Sequence, residues 1–149
     1  MVDIHHKGAC EAPLDVAFAY LDDYRTATDW MFGLAKFEPT GDQDQGLGAV
    51  FDGTFQVKPV KLSSTVKVTE WEQDKVIGFE SIKGFKNWST WRFTAAGPSR
   101  TEIDVVFSYE LPGGLAGRAM DKALEPIVAV SVRHSDAALR RGIEARYRG

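Results

Sequence analysis

The sequence predicts an α+β fold: a curved antiparallel sheet of about six to seven strands, one long C-terminal helix, and two short helices after the first strand. Three observations carry this expectation. Apolar and polar residues alternate along the middle of the chain. In Thr101 to Leu111, Ile103, Val105, Phe107 and Tyr109 alternate with Glu102, Asp104, Val106, Ser108 and Glu110. That period of two turns one face of each strand toward a core. Turn-forming pairs punctuate this region at short intervals. After Pro112-Gly113-Gly114, apolar and small residues recur at helical spacing to about Arg146.

Val2 to Glu11 reads as the first strand, with Ile4, His6, Gly8 and Cys10 on one face and His5, Lys7 and Ala9 on the other. Pro13 suits the first turn of a helix, where its missing N–H costs nothing. Leu14, Phe18 and Leu21 follow at helical spacing, and Asp22-Asp23 breaks the pattern. A second short helix is expected at Tyr24 to Met31. Gly33 to Leu111 then reads as six strands. Their turns fall at Gly41-Asp42, Gln45-Gly46-Leu47-Gly48, Lys58-Pro59, Gln73-Asp74, Lys83-Gly84 and Gly97-Pro98-Ser99. In Ser63 to Trp71, Ser64, Val66 and Val68 alternate with Thr65, Lys67 and Thr69.

The final helix carries one stripe: Met120, Leu124, Ile127, Val128, Ser131, Ser135, Ala138, Leu139 and Gly142. Arg118, Lys122, Glu125, Arg133, Asp136, Arg140 and Glu144 lie mainly off it. Asp136 with Arg140, and Arg140 with Glu144, form i,i+4 pairs on the expected outer face. Pro126 removes the bond to the Lys122 carbonyl, so a bend is expected there. About 32 residues at 1.5 Å each span roughly 48 Å, enough to cross a whole curved sheet. The stripe begins with large residues and ends with small ones. Small residues either let the helix sit close to the sheet or leave room for a guest.

Composition narrows the function classes. The chain has 149 residues and 16.5 kDa, with 44% hydrophobic and 26% charged residues. This is ordinary globular composition for one domain, residues 1–149. Lys and Arg total 18 against 21 Asp and Glu, a net charge of -3, so no nucleic-acid partner is expected. No apolar run reaches the roughly 20 residues of a membrane span, so no integral membrane role is expected either. Met1 to Cys10 shows no basic start or apolar run, and the expected location is the cytoplasm. One cysteine, Cys10, excludes an internal disulfide. Aromatic residues make up 11% of the chain, four of them Trp, enough to line a cavity as well as fill a core.

The order β-α-α-β6-α, with Ala12-Pro13 opening the first helix, resembles the START-like (SRPBCC, helix-grip) superfamily. Within it, the chain is most similar to the polyketide cyclase/dehydrase and lipid-transport group. The resemblance covers nearly the whole chain. Ala12-Pro13 through Asp22-Asp23 looks like the family's first helix, and Trp30-Met31-Phe32 like the aromatic segment after the second. Gly46-Leu47-Gly48 resembles its glycine turn. Ser108-Tyr109-Glu110-Leu111-Pro112-Gly113-Gly114 resembles the strand-to-helix junction, and the mid-helix proline matches. Arg100-Thr101 replaces the Gly-Thr that many members carry, a departure that bears on a turn. The resemblance implies a helix-grip fold and a cavity between sheet and C-terminal helix. It does not choose among the carriers, receptors, cyclases and other activities the superfamily hosts.

No forced catalytic set is visible. G-x-S-x-G is missing, Cys10 reads as a buried thiol, and Gly46-Leu47-Gly48 lacks the Lys and helix of a phosphate loop. Adjacent His5 and His6 point to opposite faces of a strand and cannot chelate one ion together. No metal and no cofactor is expected. His134, on the flank of the helix stripe, can donate to a ligand oxygen, act as general acid or base, or simply pair at the interface. Asp52, Glu80 and Arg92 are the charged strand residues that a cyclase would need inside a cavity. Strand parity sends Asp52 and Arg92 outward if Phe51, Phe55, Trp91 and Phe93 face inward.

The leading expectation is therefore binding or transport of a hydrophobic small molecule: a lipid, an isoprenoid or quinone, or a polyketide-like aromatic. The expected lining is Trp30, Phe32, Phe51, Phe55, Phe79, Trp91, Phe107 and Met120, with His134 at its polar end. The alternative is a polyketide cyclase or dehydratase using the same cavity. A monomer or homodimer is expected.

Overall fold

The computed structural model describes residues 2–57, 60–110 and 114–149, apart from the side chains of residues 57, 60, 114–118, 120 and 121. The chain opens with β1 (Val2–Cys10), α1 (Leu14–Asp22), a 3-10 helix (Tyr24–Thr26) and α2 (Ala27–Trp30). Six strands follow: β2 (Leu34–Pro39), β3 (Val50–Val57), β4 (Val60–Glu72), β5 (Val76–Gly84), β6 (Lys86–Gly97) and β7 (Arg100–Glu110). The chain then enters α3 (Gly114–Arg148), 35 residues with Pro126 inside it. The Lys58-Pro59 turn lies outside the described residues.

All neighbours in the seven-stranded sheet are antiparallel, in the order β1-β7-β6-β5-β4-β3-β2. The strands from β2 to β7 form a meander, and β7 returns beside β1. The two strands that flank the short helices, β1 and β2, are thus the two edges of the sheet. The segment between them must cross from edge to edge, and α1, the 3-10 helix and α2 do so over the concave face. Register shifts in β2, twice in β4, and in β6 raise the local twist that curls the sheet. At the β5–β6 turn Gly84 adopts φ 80°, and a Cβ there would stand 2.4 Å from the Ser63 carbonyl oxygen. Only glycine fits that turn.

The core lies between sheet and helices. Phe18 of α1 packs edge-on against Trp71 and Phe93, with ring centroids at 5.8 and 5.4 Å. The C-terminal half of α3 buries Val132, Ser135, Asp136, Leu139 and Ile143. Two parts of the expected helix stripe are corrected. Ile127, placed on the buried stripe, is 57% exposed, whereas Asp136, placed on the outer face, is fully buried. Asp136 is held inside by His6 and Arg140, with its Oδ2 3.0 Å from His6 Nε2 and 2.9 Å from Arg140 Nε. Glu144 accepts from the Glu11 backbone N–H at 2.8 Å. The small residues at the end of the stripe serve close approach. A Cβ on Gly142 would stand 2.2 Å from Tyr20 Oη, and Ser135 Oγ accepts from the Phe32 N–H at 2.9 Å. Among the described residues, no helix is long and apolar enough to cross a membrane.

Candidate functional site

An apolar cavity of about 70 Å³ lies against the concave face of the sheet. Its floor is built by strand alternation. Phe51, Gly53 and Phe55 of β3, Ser64, Val66 and Val68 of β4, and Ile77 and Phe79 of β5 all take alternate positions. Asn87 and Ser89 of β6 and Phe107 of β7 complete it. The opposite wall comes from Leu21, Tyr24, Ala27, Trp30 and Met31, with Leu34 and Phe37 of β2 at one side. Phe37 stacks on Phe51 at 4.7 Å and meets Phe79 edge-on at 6.4 Å. Its partner in register is Gly53, where an added Cβ would stand 3.4 Å from the Phe37 ring. A water needs roughly 10–15 Å³ of such space, so the cavity takes about five to seven waters, or one to two aromatic rings.

The rim is polar. Asp22, at the end of α1, accepts from Trp71 Nε1 at 2.9 Å through Oδ1 and from Gln45 Nε2 through Oδ2. This carboxylate ties the β2–β3 loop to α1 beside the cavity. The Asp23 carboxyl next to it is held below its usual range by its hydrogen bond with Arg25. Thr26 Oγ1 donates toward the Tyr20 carbonyl at 2.8 Å and accepts from Trp30 Nε1 at 3.3 Å. That bond orients the Trp30 indole, whose ring sits edge-on to Trp91 at 5.1 Å.

Of the residues expected from sequence, Trp30, Phe51, Phe55, Phe79 and Phe107 come together in the lining. Trp91 is 2% exposed and packs behind Trp30 in the core. Phe32 and His134 lie outside the lining and meet each other at 5.2 Å, both exposed. The Met120 side chain lies outside the described residues. Among the described lining residues, the wall facing the sheet comes from α1, α2 and the segment between them, and the side chains of residues 114–118, 120 and 121 of α3 lie outside the described residues.

Asp52 and Arg92 point outward, as parity required. Asp52 accepts from Thr65 Oγ1 at 2.7 Å, and Arg92 lies 3.6 Å from Glu70. Glu80 is exposed. His5 pairs outward with Asp104 at 2.5 Å, while His6 turns inward to Asp136. Among the described residues, no group of three His, Cys, Asp or Glu side chains is placed to hold a metal ion. The Cys10 thiol is pushed up to about 11, first by burial and next by Glu144. The ionisable side chains among the described lining residues are Asp22, Tyr24 and Asp44.

Sequence reasoning missed Tyr24, Met31, Phe37, Ser64, Asn87 and Ser89. A signal existed for the last two. Asn87 and Ser89 share strand parity with Trp91 and Phe93, so the face assigned to those aromatics also carried the two polar residues.

A family model described as polyketide cyclase/dehydrase and lipid transport matches residues 1–144. Among solved structures, a protein from Thermus thermophilus superposes with a TM-score of 0.83 at 17% identity, covering 97% of this chain and 99% of its own. The Zhui aromatase/cyclase from Streptomyces sp. R1128 gives 0.80 at 18% identity, covering 97% and 94%. A START superfamily protein from Mycobacterium smegmatis gives 0.72 at 13% identity, covering 98% and 97%. At such identities the likeness is one of fold. No curated protein matches the chain.

Proposed function

The chain belongs to the polyketide cyclase/dehydrase and lipid-transport family, and on that premise we propose that it binds a hydrophobic small molecule in the cavity against its sheet. The ligand class is a lipid, an isoprenoid or quinone, or a polyketide-like aromatic. One observation carries this reading: aromatic rings from five separate elements, Trp30, Phe37, Phe51, Phe79 and Phe107, converge on one apolar space. Burial of ligand surface there contributes roughly 25 cal/mol per Å² before the costs of association. Binding of this kind requires no cofactor.

Native mass spectrometry of freshly purified protein tests the reading, joined to titration with a hydrophobic probe followed by Trp fluorescence. A retained small molecule, or saturable quenching of Trp30, supports it. Protein that emerges empty and takes up no probe sinks it.

A cyclase or dehydratase remains the second reading, favoured by the family and by the fold shared with a named aromatase/cyclase. It needs a base and a polarising group inside the cavity. Asp52→Asn and Arg92→Ala are expected to leave ligand binding unchanged, because both side chains sit on the convex face. Loss of a measured polyketide turnover in either variant would favour the enzyme.

A further inference from the structure

Among the described residues, two polar atoms that border this apolar cavity have no hydrogen-bond partner. Asn87 and Ser89 lie two apart on β6, so both side chains enter from the same face. Both residues are buried, at 5% and 7% exposure. The Asn87 amide is fixed in one orientation. Its Nδ2 donates to the Phe85 carbonyl at 2.9 Å and to Ser64 Oγ at 3.0 Å. A carbonyl oxygen only accepts, so the atom facing Phe85 is the nitrogen, and both amide hydrogens are used. Ser64 Oγ gives its own hydrogen to the same carbonyl at 3.1 Å. Asn87 Oδ1 and the Ser89 hydroxyl are left with no hydrogen-bond partner among the described residues. Among the described residues, the sealed, unpartnered side-chain atoms are Trp91 Nε1 and Asp136 Oδ1, so Asn87 Oδ1 and Ser89 Oγ both keep open surface, and both residues line the cavity. In register, Ser89 sits between Phe79 and Phe107.

We propose that Asn87 and Ser89 form a hydroxyl-recognition subsite, and that the ligand is a neutral aromatic molecule of one or two rings bearing a hydroxyl group. The inference rests on the binding reading above and names the ligand's chemistry within it. Asn87 Oδ1 accepts only, so it demands a donor. The Ser89 hydroxyl can donate in return. A ligand hydroxyl supplies both halves, one hydrogen and one lone pair. A ketone or methyl ether offers no hydrogen and sets its lone pairs against Oδ1. A carboxylate meets no cation in the described lining and passes Asp22 and Asp44 at the rim. The two phenyl rings beside Ser89 stack on the ligand ring. Leaving a buried polar atom unpaired is what makes such a site reject the analogue lacking its hydroxyl.

The test compares naphthalene, 2-naphthol, 2-methoxynaphthalene and 2-naphthoate at neutral pH, by Trp fluorescence and calorimetry. The expected order places 2-naphthol at least tenfold tighter than its methyl ether, with 2-naphthoate weakest. Ser89→Ala and Asn87→Leu are each expected to shrink the preference for the hydroxyl over the ether toward one, while naphthalene binding persists. Ser89→Ala is the milder change, since Asn87 also supports the turn at Phe85. Equal binding of 2-naphthol and its ether by the unaltered protein would overturn the subsite and leave the apolar binding site standing. A preference that survives both substitutions would overturn it as well. Failure to bind any of the four, naphthalene included, by protein that also emerges empty from native mass spectrometry would defeat the binding reading itself.

Discussion

Asp136 is a carboxylate taken wholly out of water, and such a group persists only where donors meet it. His6 and Arg140 share its Oδ2, and Arg140 Nη1 also reaches the Ala9 carbonyl at 3.3 Å. The cluster clasps α3 to β1. Gly8 makes the room for it, since a Cβ there would stand 2.6 Å from Oδ2. Asp136→Ala should cost about 2–3 kcal/mol, below the usual range for a broken buried pair because Arg140 keeps some contact with water. Urea unfolding measures it, and a loss under about 1 kcal/mol would show that the clasp contributes little. Cys10, close by, adds a pH dependence. Its folded value of about 11 stands above the ordinary 9.0. Below the ordinary value both states hold the proton and pH has no effect. Above it the unfolded chain releases the proton while the folded chain keeps it, so stability falls as pH rises toward the folded value. The fall attributable to Cys10 should reach about 2–3 kcal/mol. Comparing the chain with Cys10→Ala across that window isolates it, and identical pH profiles would refute it.

Among the elements, α3 does two different things along its length. Its C-terminal half is core, with Leu139 and Ile143 fully buried, while Ile127 and Val130 toward its start are more than half exposed. Leu139→Ala should therefore cost about 2–4 kcal/mol. Ile127→Ala should stay within about 0.5 kcal/mol, although both residues belong to one apparent stripe. Thermal or urea denaturation of the pair decides this, and equal losses would contradict the burial. The α1 end and the β2–β3 loop form a second unit, joined through Asp22 to Gln45 and to Trp71. Asp22→Ala should loosen the rim and speed uptake of a hydrophobic probe several-fold, with equilibrium affinity changed less. Stopped-flow fluorescence reads the two separately, and an unchanged association rate would mean that the rim does not limit entry.

For the whole molecule, the strands, their turns and the long helix were legible because each leaves a local periodic trace. Alternation marked β4 and β7, Pro13 marked the start of α1, and Gly84 marked a turn that only glycine fits. The family resemblance was legible for the same reason, being carried by those local segments. Five of the expected ring and indole side chains, Trp30, Phe51, Phe55, Phe79 and Phe107, could be placed in one lining from parity and position. What no local pattern carries is which surfaces face each other. Sheet order decides that β1 and β2 are opposite edges, and the crossover between them then brings α1, α2 and the segment between them over the concave face. The same packing carries Phe32 and His134 to the outside, buries Asp136 against His6, a residue 130 positions away in the chain, and uses Ser135 and Gly142 for close contact. Sequence by itself determined the elements and the inward faces of the strands, because these depend on neighbours two to four residues away, whereas the buried face of α3 departed from its apparent stripe at Ile127 and Asp136. The tertiary structure alone decided the cavity wall and its unpaired polar atoms, because these depend on long-range closure and on which hydrogen bonds are already taken.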